Sequence, residues 1–198
     1  MIPYVVENAG TSKERVYDLY SRLLKDRIVF IGKNFDQELS NSVVAQLLFL
    51  EADNANKDIT IYVNSPGGMI SSCLAIYDTM RYIKPNISTV CVGQAASAAA
   101  FILSAGTIGK RYALANARVM LHQVSAGTEG NIQDMRVQVK EFERSNEIML
   151  KELSKIVKKS VTKLKSDLSR DYYMSAEEAK KYGIIDEVFT NRSLNEEK

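Results

Sequence analysis

Only one histidine, His122, occurs in 198 residues, so any imidazole-assisted chemistry must run through it. It follows directly on the apolar stretch 119–121, at the end of an expected strand. A serine suited to work with such a base is Ser97, in Gly93-Gln94-Ala95-Ala96-Ser97, where the chain turns from a β-branched run into an expected helix. The free N–H groups and dipole of a first helical turn favour negative charge at that point, which suits a nucleophilic oxygen. A serine there is more often an N-cap, and an isolated histidine is more often a satisfied structural residue. A third feature is Asn64-Ser65-Pro66-Gly67-Gly68, set between an expected strand and helix, where parallel sheets place their sites. Its two glycines admit close approach of a substrate backbone and free an N–H for an oxyanion. The lysine and spacing of a phosphate-binding loop are missing, and Pro-Gly-Gly is also an ordinary turn. Asp134, Asp167, Asp171 and Asp186 all qualify as the carboxylate that would orient the imidazole, and spacing does not rank them.

Positioning these groups requires a framework. With 45% hydrophobic and 25% charged residues, ten Gly and three Pro, the chain reads as one globular α/β domain spanning 1–198. β-branched runs alternate with helical patterns: strand 28–31, helix 38–51, strand 59–63, helix 70–82, strand 87–92. This alternation predicts βαβ units and a parallel sheet. A further unit begins at Gly93, and the small side chains of 94–100 require a tightly packed helix start. Upstream, Thr11-Ser12-Lys13-Glu14 reads as a capping box opening a helix that presents Val16, Tyr20, Leu23 and Leu24 and ends near Lys25. Short strands are expected at 112–114 and 119–121, then a loop over 125–130. In the longest expected helix, Ile132, Met135, Val139, Phe142, Met149, Leu153 and Ile156 form a narrow apolar seam interrupted by Asn146. Such a seam suits contact with a partner, the alternative being a core-facing stripe. Ser175-Ala176-Glu177-Glu178 caps a last helix, Gly183 ends it, 184–189 returns as a strand, and a polar tail follows Asn191.

Several classes of function are disfavoured. Twenty-six basic against 24 acidic residues leave a net charge of +2, too little to attract nucleic acid or an anionic membrane. Lys151, Lys155, Lys158, Lys159, Lys163 and Lys165 cluster, but Glu152 and Asp167 dilute them and no aromatic residues interleave. No run of 18 apolar residues and no leader-like segment occurs, so a cytoplasmic location is expected. Cys73 and Cys91 lie in apolar runs without CxxC spacing, so buried reduced thiols, no metal and no cofactor are expected.

From Tyr17 to about Phe189 the sequence resembles the ClpP family, the proteolytic subunits of the caseinolytic proteases. The likeness is carried by Tyr20-Ser21-Arg22-Leu23-Leu24-Lys25, residues 44–51, Tyr62-Val63-Asn64-Ser65-Pro66-Gly67-Gly68, Ala75-Ile76-Tyr77-Asp78-Thr79-Met80, Gly93-Gln94-Ala95-Ala96-Ser97, 120–123 and 170–179. The resemblance implies Ser97 as nucleophile, His122 as general base and Asp171 as orienter, with the backbone N–H groups of Gly68 and Ala98 as the oxyanion hole. It implies a crotonase-like α/β spiral of βαβ units with a projecting handle helix in region 125–158, an N-terminal axial segment over 1–16 and a flexible tail over 191–198. Two stacked heptamers would enclose the serines, the long helix joining the rings. Extended, unfolded polypeptide would pair with Gly68, Met69 and Ile70 on one side and Val124, Ser125 and Ala126 on the other. Tyr62, Tyr82 and Tyr112 match positions where an AAA+ Clp unfoldase docks, and ATP would be used by that partner alone.

The chain departs from the family where Ala98 and Ala99 replace the usual Met and Gly, Val124 replaces Pro, and Ser125-Ala126 stands in a commonly Gly-rich strand. Backbone donors survive these changes. They motivate an alternative, a weak or structural subunit active only in rings mixed with a ClpP paralogue. An acyl-CoA enzyme of the crotonase type shares the fold and a glycine-based oxyanion hole, but has no role for Ser97 with His122.

Overall fold

A computed structural model describes residues 3–125 and 127–190. The β-branched runs form β3 (Ile28–Ile31), β4 (Ile59–Ser65) and β5 (Ile87–Ala96), followed by the short strands β6 (Arg111–Leu114) and β7 (Arg118–Leu121). Between them run α2 (Gln37–Asp53), α3 (Ile70–Tyr82) and α4 (Ala98–Ser104), and beyond them α5 (Ile132–Val157), α6 (Val161–Asp167), β8 (Tyr172–Ser175), α7 (Ala176–Tyr182) and β9 (Glu187–Phe189). β3-β4-β5-β6-β9 pair in parallel, as βαβ crossovers dictate, while β7 runs parallel to β5 and β8 antiparallel to β7. The mostly parallel mixed α/β architecture agrees with the expected class.

β5 has two partners in succession. Thr89 to Cys91 pair with β6, and after Gly93, at φ 79°, Gln94 to Ala96 pair with β7. The bend that glycine permits divides the sheet and delivers the C-terminal end of β5 to β7. Helix α4, whose every residue is buried, packs on β5, which accounts for the small side chains at its start. The core is lined by Val29, Ile31, Ile61, Val63, Cys91 and Phe101, with α2 against α3 and α5 against α4 and α6. Cys73 and Cys91 are both buried, and burial pushes their thiols up, Cys91 to about 12.

The N-terminal helix expected from Thr11 is not what forms. β1 (Tyr4–Glu7) and β2 (Arg15–Asp18) make an antiparallel hairpin, and α1 (Leu19–Lys25) starts only at Asp18, whose carboxylate accepts the Ser21 N–H at 3.0 Å. Thr11 and Glu14 do bond to backbone, but within the hairpin loop: the Gly10 N–H donates to Glu14 Oε2 at 2.7 Å and the Lys13 N–H to Thr11 Oγ1 at 3.2 Å. Cross-strand pairing of Val5 with Tyr17 and Val6 with Val16 overrides the local capping pattern.

The C-terminal expectations hold in part. Ser175 and Glu178 form a capping box and Gly183 closes α7 at φ 100°. Ile184 then donates its N–H to Ala179 O, closing the helix end, so the strand expected over 184–189 shortens to β9. α5 is longest at 26 residues: Leu150, Leu153 and Val157 are buried, whereas Ile132, Val137 and Val139 near its start are exposed. Lys151, Lys155 and Lys163 of the basic cluster pair with Glu147, Glu152 and Asp167. The tail expected over 191–198 and the first two residues of the axial segment lie outside the described residues.

Candidate active site

Three adjacent strands bring the chemistry together. Ala96 pairs with Met120 across β5 and β7, and Leu121 pairs with Tyr172 across β7 and β8. One step beyond these pairs lie Ser97, His122 and Asp171, so sheet register alone collects residues far apart in the chain. Ser97 Oγ lies 2.9 Å from His122 Nε2, and Asp171 Oδ1 lies 3.5 Å from His122 Nδ1. The Asp171 side chain is 59% exposed, so this second arm is the looser one.

Ser97 occupies the N-cap position of α4, yet its side chain makes no capping bond. Its backbone sits at φ 55°, ψ −122°, unfavourable for a side-chain-bearing residue, and is held there by its N–H donating to Met120 O at 2.8 Å. An ordinary capping serine has extended backbone and turns its hydroxyl onto the helix. Here the strained strand-to-helix turn aims the hydroxyl at the imidazole instead.

Among the four carboxylates, the other three are engaged elsewhere. Asp134 lies within the Asn131 cap of α5, Asp167 accepts from Lys163 Nζ at 2.6 Å and the Tyr182 hydroxyl at 2.9 Å, and Asp186 takes Arg111 through two bonds of 2.6 and 2.9 Å. Asp171 alone of the four pairs with His122.

The Gly67–Gly68 turn packs directly against this junction. Gly67 has φ 96°, and a Cβ there would come within 2.6 Å of Ala96 O and 2.8 Å of Ser97 Cβ. A Cβ on Gly68, at φ 146°, would strike the Phe35 backbone at 2.5 Å. Both glycines are therefore required by space as well as by φ. Among the described residues, the N–H groups of Gly68 and Ala98 have no backbone acceptor among the turn, loop and cap bonds, and both residues share one cavity with Ser97.

A cavity of about 80 Å³ opens between them. Gly68, Ile70, Ala98, Val124 and Ser125 line it with Ser97 and His122, so most of the expected peptide-contacting residues share one cleft. Met69 caps α3 nearby and is exposed, and Ala126 lies outside the described residues. Phe101, Met149, Leu150, Leu153 and Leu168 add an apolar wall, and Asn146 a polar point. Apolar periodicity does not mark this wall as a pocket, and the one local sign of it in the sequence is the polar break in the α5 seam at Asn146.

The expected docking tyrosines lie on three elements. Phe30, Tyr62, Val90 and Tyr112 stand in register across β3 to β6 on one sheet face, Tyr62 stacked on Phe30 at 5.7 Å and Tyr112 on Phe189 at 4.4 Å. Tyr82 is instead the last residue of α3 and is 80% exposed. Among the described residues no cluster of three metal-ligating side chains occurs, and no helix is long and apolar enough to cross a membrane. A protein-family model described as Clp protease matches residues 11–192.

Proposed function

Since the chain belongs to the Clp protease family, we propose that it is a serine endopeptidase subunit in which Ser97, His122 and Asp171 cleave unfolded polypeptide inside a chamber built of its own copies. The observation that carries this reading is the 2.9 Å approach of Ser97 Oγ to His122 Nε2 at an uncapped, strained helix start. With Nδ1 protonated towards Asp171, Nε2 accepts the Ser97 proton as Oγ attacks the scissile carbonyl. The Gly68 and Ala98 N–H groups hold the oxyanion. Collapse of the tetrahedral adduct breaks the C–N bond, and His122 returns the proton to the leaving amine. Water then attacks the Ser97 ester, giving its proton to His122, and the acid product leaves as Ser97 Oγ regains a proton. The apolar wall of Phe101, Met149, Leu150 and Leu153 takes the side chain before the scissile bond, and Ala98 leaves room there for a large one.

Assembly is part of the proposal. Ile132, Val137 and Val139 expose apolar surface along the start of α5, as a handle joining two heptameric rings requires. The aromatic row at Tyr62 and Tyr112 suits docking of an AAA+ unfoldase, which would supply unfolded chain at the cost of its own ATP, with no cofactor held here. The test is hydrolysis of short fluorogenic peptides by the purified chain. Ser97→Ala should lower the rate by about 10⁴-fold or more without changing particle mass, whereas undiminished cleavage refutes the assignment.

A second reading, a weak subunit that works only beside a paralogue, is favoured by the loose His122–Asp171 arm of 3.5 Å. It predicts that Ser97 reacts with a fluorophosphonate only in mixed rings.

A further inference from the structure

We propose that Ser65 is a positioning residue for the oxyanion hole, its buried hydroxyl fixing the turn that presents the Gly68 N–H to the substrate. This rests on the peptidase reading above and goes beyond it to a residue that touches neither substrate nor the triad. Ser65 is fully buried at the end of β4. Its Oγ donates to Lys33 O at 2.7 Å and accepts the Gly67 N–H at 3.1 Å. Pro66 between them has no N–H, so the hydroxyl takes the first available donor two residues on, closing a compact turn.

The same turn is gripped from its other side. The Phe35 N–H donates to Gly67 O and the Met69 N–H donates to Phe35 O, both at 2.8 Å. The backbone on either side of Gly68 is thereby tied to segment 33–35, while the N–H of the exposed Gly68 has no acceptor among the described residues. No slack exists towards the nucleophile, because Gly67 already abuts Ala96 O and Ser97 Cβ. Ser65 also pairs with Ala95, two residues before Ser97. Removing its hydroxyl strands the buried Gly67 N–H and takes one partner from Lys33 O, and the turn relieves the loss by shifting the Gly68 donor against Ser97. The oxyanion forms only as the carbonyl is attacked and is absent from the bound substrate, so the loss must be felt in kcat and not in substrate binding.

The experiment compares the parent chain with Ser65→Ala, Ser65→Thr and Ser97→Ala on one fluorogenic peptide, together with inhibition by a peptide aldehyde, whose adduct carries the oxyanion. Ser65→Ala should lower kcat by about ten- to a hundredfold and weaken the aldehyde to a similar degree, with KM within about threefold. Ser65→Thr, which keeps the hydroxyl, should return kcat to within about threefold of the parent. Unchanged kcat in Ser65→Ala, a rise in KM alone, or a threonine variant no better than alanine overturns the proposal. If Ser65→Ala fails to fold, Ser65→Cys is read instead: its weaker donor should lower kcat at constant KM, and an unchanged kcat is the contrary result. A parent rate that does not depend on Ser97 refutes the peptidase reading itself, which separates that failure from this one.

Discussion

His122 and Asp171 extend the antiparallel register of β7 and β8 by one pair, yet their side chains meet only at 3.5 Å, with the carboxylate more than half exposed. The Ser97 side of the imidazole is the closer, at 2.9 Å. An exposed carboxylate at that distance orients the ring and steadies its charge less than a buried one would. Asp171→Asn should therefore reduce kcat by about ten- to a hundredfold less than His122→Ala does, as steady-state kinetics on a fluorogenic peptide would reveal. Equal losses would mean that the carboxylate arm tightens when substrate binds.

Ala98 is one of the residues that line the cleft. Placing Met there fills much of a cavity of about 80 Å³ next to Phe101 and Leu150. Ala98→Met should shift preference from long apolar side chains before the scissile bond towards small ones, by about ten- to a hundredfold in the ratio of kcat/KM values. A peptide library profiled with both chains gives the answer, and identical profiles would remove Ala98 from specificity.

Acid stability is tied to Asp186. Burial raises its carboxyl pKa, but the hydrogen bonds and charge of Arg111, with the N–H groups of Arg111 and Gly109, outweigh this and hold it below its ordinary 3.8. A carboxyl depressed by folding lends stability that is complete above its unfolded value and is lost as pH falls through the folded one. Asp186→Ala should cost about 3–5 kcal/mol at neutral pH, since it leaves the buried Arg111 without its partner. Urea unfolding from pH 7 down to pH 2 should show the parent and the variant converging below about pH 4. A gap that stays constant with pH would contradict the ion-pair explanation.

Exposed apolar residues on α5 bear on assembly. Ile132 is 64% and Val139 44% exposed in the single chain. Ile132→Asp with Val139→Asp would force charge into any interface they form, which is costly. Sedimentation should then report a particle of about half the parent mass or smaller, whereas an unaltered mass would place the interface elsewhere.

Much of this arrangement can be read from local chemistry. Helix 70–82 is bounded by local signals, since its start follows Pro-Gly-Gly, and so is α7, through its capping box and Gly183. Ser97, His122 and the Gly67–Gly68 turn also announce themselves by residue type at strand ends. The acid does not, since Asp171 meets His122 only through β8, a four-residue strand separated from β7 by two helices. The hairpin of β1 and β2 was hidden behind a capping pattern that a loop satisfies equally well. Ser65 was legible as part of the Pro-Gly-Gly motif, but its acceptor, Lys33 O, lies 32 residues upstream and no spacing predicts it.

The most direct measurement is labelling of the purified, assembled chain with a fluorophosphonate, followed by peptide mass mapping. Labelling should fall on Ser97 and drop sharply in His122→Ala, since the hydroxyl is nucleophilic only when the imidazole takes its proton. An unlabelled Ser97, or labelling that survives loss of His122, would contradict the account.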